Sequence, residues 1–96
     1  MNNNVNQIEI YPSSVEKFEV KKVVPKDLML YNDEYNSFDF VIETLMDVCE
    51  HTVEQAEQCA MITHYKGKCS IKKGLIEDLK PYYLTLLDKG LTVKIH

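Results

Sequence analysis

The chain has 96 residues, 45% of them apolar, and a formal net charge of −4. This length suits one domain with one modest hydrophobic core. No apolar run approaches the ~18 residues that a membrane span needs, and the polar start MNNNVNQIEIYPSS has no basic stretch followed by an apolar block. We therefore expect a soluble protein without a signal peptide, an organelle-targeting sequence or a membrane span.

Acidic residues dominate the middle of the chain. From Asp27 to Tyr65 there are nine acids and neither lysine nor arginine, whereas the basic residues lie before and after this stretch. Such a surface repels a phosphate backbone, which argues against nucleic acid as a partner. A cationic ligand or a basic protein surface fits better. The simpler alternative is that these acids only cover the solvent faces of helices.

The cysteines and histidines indicate neither a disulfide framework nor a metal site. Cys49, Cys59 and Cys69 form no C-x-x-C pair, and three cysteines cannot all be disulfide-bonded within one chain. We interpret them as buried or half-buried side chains in a reducing compartment, which predicts the cytoplasm. The histidines, at positions 51, 64 and 96, lack the spacing of metal ligands.

The N-terminal quarter of the chain differs in pattern from the rest. Residues 1–16 lack hydrophobic periodicity and are rich in asparagine, and the brief alternation at Phe18 and Val20 is interrupted by Pro25. We predict a flexible N-terminal extension over residues 1–25 and a core domain over residues 26–96.

The first half of the core domain predicts a strand and two helices. Leu28 to Tyr31 is typical of a short core strand, and Asn36 or Ser37 suits the cap of a following helix. That helix carries apolar residues at helical spacing: Phe38, Val41, Ile42, Leu45, Val48 and Cys49. Thr52 and Gln55 match a capping box at the start of a second helix that ends near Gly67. One side of this second helix carries Val53, Ala56, Cys59, Ala60 and Thr63.

The second half predicts two more strands around a third helix. KCSIKKG forms a strand that ends at Gly74, and LTVKI forms the last strand. Between them, a helix that ends at Gly90 carries an apolar stripe of Leu75, Leu79, Tyr83, Leu86 and Leu87. Its internal Pro81 is expected to kink or shorten it. The order β-α-α-β-α-β predicts an α+β fold in which a small three-stranded antiparallel sheet packs against three helices.

No pattern in the chain indicates an enzyme. Asp33 and Glu34 would point to opposite sides of an extended chain, Ser37 and Ser70 have no triad context, and three glycines form no phosphate-binding loop. We therefore expect neither catalysis nor a cofactor. His64 is placed by helical spacing in the same space as Ala60 and Thr63. The alternative is a histidine that the helix dipole favours near a helix C-terminus.

Two uncommon motifs give the chain a specific resemblance. LYNDEYNSFDFVIETL and HYKGK, at the interval observed here, are similar to the strand-end and helix-end motifs of the ClpS family, the adaptors that deliver N-degron substrates to Clp proteases. The similarity runs from about Asp27 to Ile95. VCEHTVEQAEQC and HYKGKC resemble the versions found in Bacteroidetes-type bacteria.

The resemblance implies a binding site for the first residue of a substrate protein. Asn32, Asp33 and His64 would hold its free α-amino group. A hydrophobic pocket for its side chain (Leu, Phe, Tyr or Trp in the family) would be formed by Phe38, Val41, Ala60, Thr63 and Leu91. Many members carry Met where this chain has Phe38 and Ala60, so the resemblance leaves the preference among the four side chains open.

The resemblance also implies a macromolecular partner. Glu77 matches an acidic docking position for the N-terminal domain of a Clp AAA+ unfoldase of the ClpA or ClpC type, although a solvated helix charge explains it equally well. The expected protein is a monomer. The alternative function is a module that binds the unfoldase without recognising N-degrons.

Overall fold

The computed structural model describes residues 23–96, so residues 1–22 of the predicted N-terminal extension lie outside the described part of the chain. The elements follow the predicted order: β1 Lys26–Tyr31, α1 Phe38–Cys49, α2 Val53–Lys66, β2 Lys68–Gly74, α3 Ile76–Asp88 and β3 Val93–Ile95. The α+β prediction is confirmed, with one three-stranded antiparallel sheet and three helices among these residues.

Strand β1 lies in the centre of the sheet. The strand order is β2-β1-β3, and β1 pairs with both neighbours in antiparallel orientation. Leu28 and Leu30 are 0% and 2% exposed, whereas Met29 and Tyr31 between and after them are only half-buried. Because strand side chains alternate between faces, the two leucines mark the face that the helices cover. The carboxyl end of β1 therefore emerges directly beside the helical layer.

Side-chain caps fix where the first two helices begin. The Ser37 hydroxyl accepts a hydrogen bond from the Phe40 N–H at the start of α1. Thr52 and Gln55 form the predicted reciprocal capping box of α2, with distances of 2.9 and 3.1 Å. Gly67 ends α2 with a φ of 92°, a conformation that costs glycine nothing. These ends determine which turns of α1 and α2 lie beside the end of β1.

Helix α3 departs from its prediction in two respects. Pro81 does not shorten it, since the helix continues for 13 residues from Ile76 to Asp88. Leu75 and Leu87 are not part of its buried stripe: Leu75 is the cap residue and 39% exposed, and Leu87 is 42% exposed. Val53 of α2 is likewise 42% exposed, because it occupies the first turn beyond the packed part of that helix.

The core joins β1 to all three helices. Its buried members are Leu28, Leu30, Leu45, Cys49, Ala56, Cys59, Ile71, Leu79, Leu86, Leu91 and Val93. The cysteines are free thiols, with Cys49 and Cys59 buried and Cys69 half-buried. Burial raises the pKa of Cys49 and, more strongly, that of Cys59, where the Cys69 thiol adds to the effect. These thiols are packing groups in their protonated form.

Within residues 23–96, no helix is both long enough and apolar enough to cross a membrane.

Candidate functional site

A cavity of about 430 Å³ opens where the end of β1 meets α1, α2 and the segment before β3. It is lined by Leu30, Tyr31, Asn32, Asp33, Glu34, Asn36, Phe38, Val41, Ala60, Thr63, His64 and Leu91. The structure thus brings together all eight residues that the sequence assigned to the amine and side-chain sites. Glu77, the proposed docking residue, lies elsewhere, exposed in the first turn of α3.

Two backbone hydrogen bonds position the polar end of the cavity. The Tyr31 N–H donates to the Thr92 carbonyl at 2.8 Å, and the Asn32 N–H donates to the Gly67 carbonyl at 2.9 Å. Gly67 caps the helix that carries His64, so the second bond holds Asn32 beside that helix end. The polar residues of the two sequence motifs consequently share one rim.

The Asp33 carboxylate organises the loop between β1 and α1. Its Oδ1 accepts hydrogen bonds from the N–H groups of Tyr35 and Asn36, both at 2.9 Å. Its Oδ2 accepts from the Asn36 side-chain amide at 2.9 Å and from the Thr92 hydroxyl at 2.7 Å. Burial alone would raise the pKa of this carboxyl, but the bonds from Thr92, Asn36 and Tyr35 outweigh it and the pKa lies below its ordinary value. Asp33 is therefore a negative charge fixed at the rim.

Asn32 and His64 are two polar side chains of the lining that remain open to a ligand. Both are exposed, and within residues 23–96 no hydrogen bond engages either side chain. The rings of His64 and Tyr65 form a T-shaped pair, with ring centroids 5.1 Å apart and an interplanar angle of 75°. An amide oxygen and a neutral imidazole nitrogen both accept hydrogen bonds, so this rim offers two free acceptors beside a fixed negative charge.

Apolar side chains form another part of the lining, which we call the apolar end of the cavity. Ala60, Thr63 and Leu91 are only 3–5% exposed. The Thr63 hydroxyl donates to the Cys59 carbonyl at 2.8 Å, so its own helix satisfies its polar group. Phe38 is 42% exposed at the first position of α1 and belongs to the mouth rather than to the floor. This end can accept an apolar side chain but offers no polar partner of its own.

Two residues of the site escaped the sequence analysis. Asn36 was considered only as a helix cap, but Ser37 is the cap, and the Asn36 amide donates to Asp33 and to the Gly90 carbonyl. Thr92 was considered only as part of the last strand, and its hydroxyl donates to Asp33. An asparagine three residues after an aspartate is a signal for a local turn. Nothing in the sequence pairs either residue with a partner more than fifty positions away.

No group of three or more metal-binding side chains was found within residues 23–96.

Comparison with known proteins gives these features a family context. The family model described as "ATP-dependent Clp protease adaptor protein ClpS" matches residues 22–94. The ATP-dependent Clp protease adapter protein ClpS of Vibrio atlanticus (strain LGP32) is 32% identical over 76 residues, which make up 77% of this chain and 72% of the relative. The adapter protein ClpS of Enterobacter sp. (strain 638) is 36% identical over 55 residues, or 55% of this chain and 52% of the relative.

A solved structure has the same fold. Agrobacterium tumefaciens ClpS2 bound to L-phenylalaninamide matches with a TM-score of 0.67 and 18% sequence identity, over 78% of this chain and 98% of that chain. At this identity the likeness concerns the arrangement of helices and strands.

Proposed function

The chain belongs to the ClpS family of adaptor proteins of the ATP-dependent Clp protease, and we propose that its cavity binds the free N-terminal residue of substrate proteins. An adaptor of this kind is not an enzyme: it brings a substrate to the protease and performs no chemistry itself. The proposed ligand is an N-degron, a first residue with a free α-amino group and a bulky hydrophobic side chain such as Leu, Phe, Tyr or Trp.

One observation carries the proposal: polar acceptor side chains and a fixed negative charge line the same cavity as a group of buried apolar side chains. An α-ammonium group offers three donors. Within residues 23–96 no hydrogen bond engages the side chains of Asn32 and His64, and the Asp33 carboxylate would supply the countercharge. The first side chain would then extend toward Val41, Ala60, Thr63 and Leu91.

The expected affinity is moderate. A hydrogen bond to a charged group contributes about 1.5–3 kcal/mol, and burial of a Leu or Phe side chain contributes about as much. After subtraction of the ordering of a flexible peptide end, the sum corresponds to a dissociation constant on the order of micromolar. Loss of the ammonium charge on acetylation would leave Asp33 uncompensated next to the ligand, so discrimination is expected to exceed affinity.

The ligand of the similar solved structure supports this reading. Agrobacterium tumefaciens ClpS2 is bound to L-phenylalaninamide. That compound combines a free α-amino group with an aromatic side chain, the two features that the ends of the present cavity complement.

We further propose that the partner is the N-terminal domain of a cytoplasmic Clp AAA+ unfoldase of the ClpA or ClpC type, bound through Glu77 by a monomeric adaptor. Glu77 is exposed on α3 and does not line the cavity. Ile76 and Leu84 of the same helix are more than half exposed, at 51% and 53%. A surface separate from the cavity lets the adaptor hold substrate and unfoldase together.

The test is fluorescence anisotropy of one labelled peptide in four versions, with N-terminal Leu, Phe, Lys and acetyl-Leu. We expect micromolar or tighter binding of the Leu or Phe peptide, weak binding of the Lys peptide and no measurable binding of the acetylated one. Addition of an unfoldase N-terminal domain should then raise the anisotropy of the bound peptide further, because the complex grows.

Equal binding of all four peptides would contradict the N-degron function. If the unfoldase domain still bound under those conditions, the alternative function, a module that binds the unfoldase without N-degron recognition, would take its place.

A further inference from the structure

We propose that Asn36 is a positioning residue of the cavity. Its side chain determines the position of Leu91, part of the apolar lining, relative to the amine-binding rim. This inference rests on the proposed N-degron function and assigns part of its side-chain selectivity to a residue that need not touch the amine.

The Asn36 amide joins two segments that are far apart in the sequence. Its Nδ2 donates to Asp33 Oδ2 at 2.9 Å and to the Gly90 carbonyl at 2.9 Å. An amide nitrogen carries two hydrogens, so one side chain can make both bonds at once. We call the loop 32–37, the segment 90–92 and these bonds between them the Asn36 clip.

A second bond closes the clip on the other side of Leu91. The Thr92 hydroxyl donates to the same Asp33 oxygen at 2.7 Å. Residues 90 and 92 are thus both attached to the loop 32–37, and Leu91 lies between the two attachment points. Leu91 is 3% exposed, lines the cavity, and its N–H donates to the Leu86 carbonyl at 3.0 Å. Leu91 is therefore held by the backbone of α3 and by the Asn36 clip, which fixes the residues on either side of it.

The turn at Gly90 makes the position of Leu91 depend on the Asn36 bond. Gly90 has a φ of 94°, and no atom lies within 4 Å of the position where its Cβ would be. On that side nothing packs against the Gly90 backbone, whose N–H donates to the Leu87 carbonyl, and the Asn36 bond ties the Gly90 carbonyl to the loop 32–37. Loss of that bond is expected to let segment 90–92 shift while Thr92 and the sheet keep it attached.

The expected consequence differs at the two ends of the cavity. Within residues 23–96, the side chains of Asn32 and His64 make no hydrogen bond to Asn36 or to segment 90–92. Without the Asn36 amide, Asp33 still accepts bonds from two backbone N–H groups and from Thr92, so recognition of the free amine is largely preserved. The position of Leu91, which would contact the first side chain, is not preserved. Selectivity among first side chains should therefore change while discrimination between free and blocked amines remains.

Two substitutions separate the bonds of Asn36. In Asn36→Thr, a short hydroxyl can still donate to Asp33 but cannot also reach the Gly90 carbonyl, whereas Asn36→Ala removes both bonds. Ser70→Ala is the matched control, because it removes another exposed interstrand bond, 2.8 Å from Ser70 Oγ to Asp27 Oδ1, away from the residues that line the cavity. Thermal unfolding of each full-length variant checks that it is folded.

The readout is the dissociation constant of the Leu, Phe, Lys and acetyl-Leu peptides for each variant. We expect Asn36→Thr to raise the dissociation constants for Leu and Phe by about three- to tenfold and to change the ratio between them, with Asn36→Ala at least as strong. Binding of acetyl-Leu should stay far weaker than that of Leu, and Ser70→Ala should match the wild type.

Unchanged constants and an unchanged Leu-to-Phe ratio in Asn36→Thr would overturn the positioning role even if the wild type behaves as an N-degron adaptor. An equal change in Ser70→Ala would also overturn it, since the effect would then follow general stability. If the wild type itself fails to distinguish Leu from acetyl-Leu, the proposed function fails and the positioning role falls with it. If Asn36→Ala does not fold, Asn36→Thr decides.

Discussion

The two ends of the cavity are built on different principles. The polar rim joins the loop after β1 to the last turn of α2: the side chains of Asn32 and His64 are exposed, and hydrogen bonds converging on Asp33 hold the loop in shape. The apolar end lies mainly on helices, and its residues Ala60 and Thr63 are buried and continuous with the core.

This difference implies two modes of selection. Hydrogen bonds to a charged group depend on single atoms and on protonation state, and their loss has a large effect. An apolar pocket distinguishes ligands by volume, and its discrimination between similar side chains is moderate. We therefore expect the rim to decide whether a peptide is bound and the apolar end to rank the peptides that are.

The largest effect is expected from Asp33→Ala. It removes the charge proposed to face the ammonium group and the four hydrogen bonds that this carboxylate accepts. The dissociation constant of the Leu peptide should rise roughly tenfold to a hundredfold, and discrimination against acetyl-Leu should disappear. Fluorescence anisotropy with the two peptides measures both.

The matched control is Glu43→Ala, which removes the same charge from an exposed position of α1. Glu43 does not line the cavity. Little change is expected there. If Asp33→Ala kept full discrimination, the amine would be held elsewhere.

A smaller effect is expected from filling the apolar end. Ala60 is 4% exposed and contributes almost no volume to the cavity wall, so Ala60→Met places extra atoms where the first side chain would lie. Binding of Phe and Trp peptides should weaken by about tenfold and binding of Leu by less, while acetylation still abolishes binding. Competition among unlabelled peptides measures this ranking.

Met61→Leu is the control, because Met61 is 47% exposed on the next position of α2 and does not line the cavity. An unchanged ranking in Ala60→Met would mean that the first side chain does not reach this part of the cavity.

The smallest effect is expected from pH. A protonated imidazole has no acceptor nitrogen and repels an ammonium group, which is the expected cause of weaker binding between about pH 7 and pH 5.5. The pKa of Asp33 is lowered, so this carboxylate stays charged throughout that range and its contribution is lost only in more acidic solution. Binding of the Leu peptide should weaken several-fold as the pH falls, which is less than the roughly tenfold or larger change that complete loss of a charged hydrogen bond (about 1.5–3 kcal/mol) would cause.

His64→Gln supplies the comparison, since glutamine keeps an acceptor but does not titrate. Its dissociation constant is expected to be flat over the same interval. A pH dependence of the same size in His64→Gln would show that another group is responsible.

Local patterns predicted most of the fold because their physical causes are local. The capping box at Thr52, the glycine that ends α2 and the period of α1 each depend on residues within one or two turns. Burial was predicted wrongly where tertiary packing determines it. Val53 and Leu87 fit the helical period but lie beyond the packed surface. Pro81 does not shorten α3, which continues to Asp88.

The candidate site could be predicted only in part. Sequence motifs identified Asn32 and His64 as candidate site residues, and the fold places them on one rim through the bond between Asn32 and the Gly67 carbonyl. The motifs did not identify Asn36 and Thr92, because these residues act through bonds across 54 and 59 positions of the sequence. Such partners become visible only when the chain is folded.

The four bonds on Asp33 have a kinetic consequence. A loop that its own carboxylate already holds in shape has little conformational entropy to lose when a peptide arrives. Encounter with an N-terminus would then lead to binding without a slow rearrangement of the receptor, and association rates would be similar for good and poor peptides. Selectivity would reside in how long each peptide stays, so the lifetime of the complex would determine which substrates remain bound long enough to be handed to the protease.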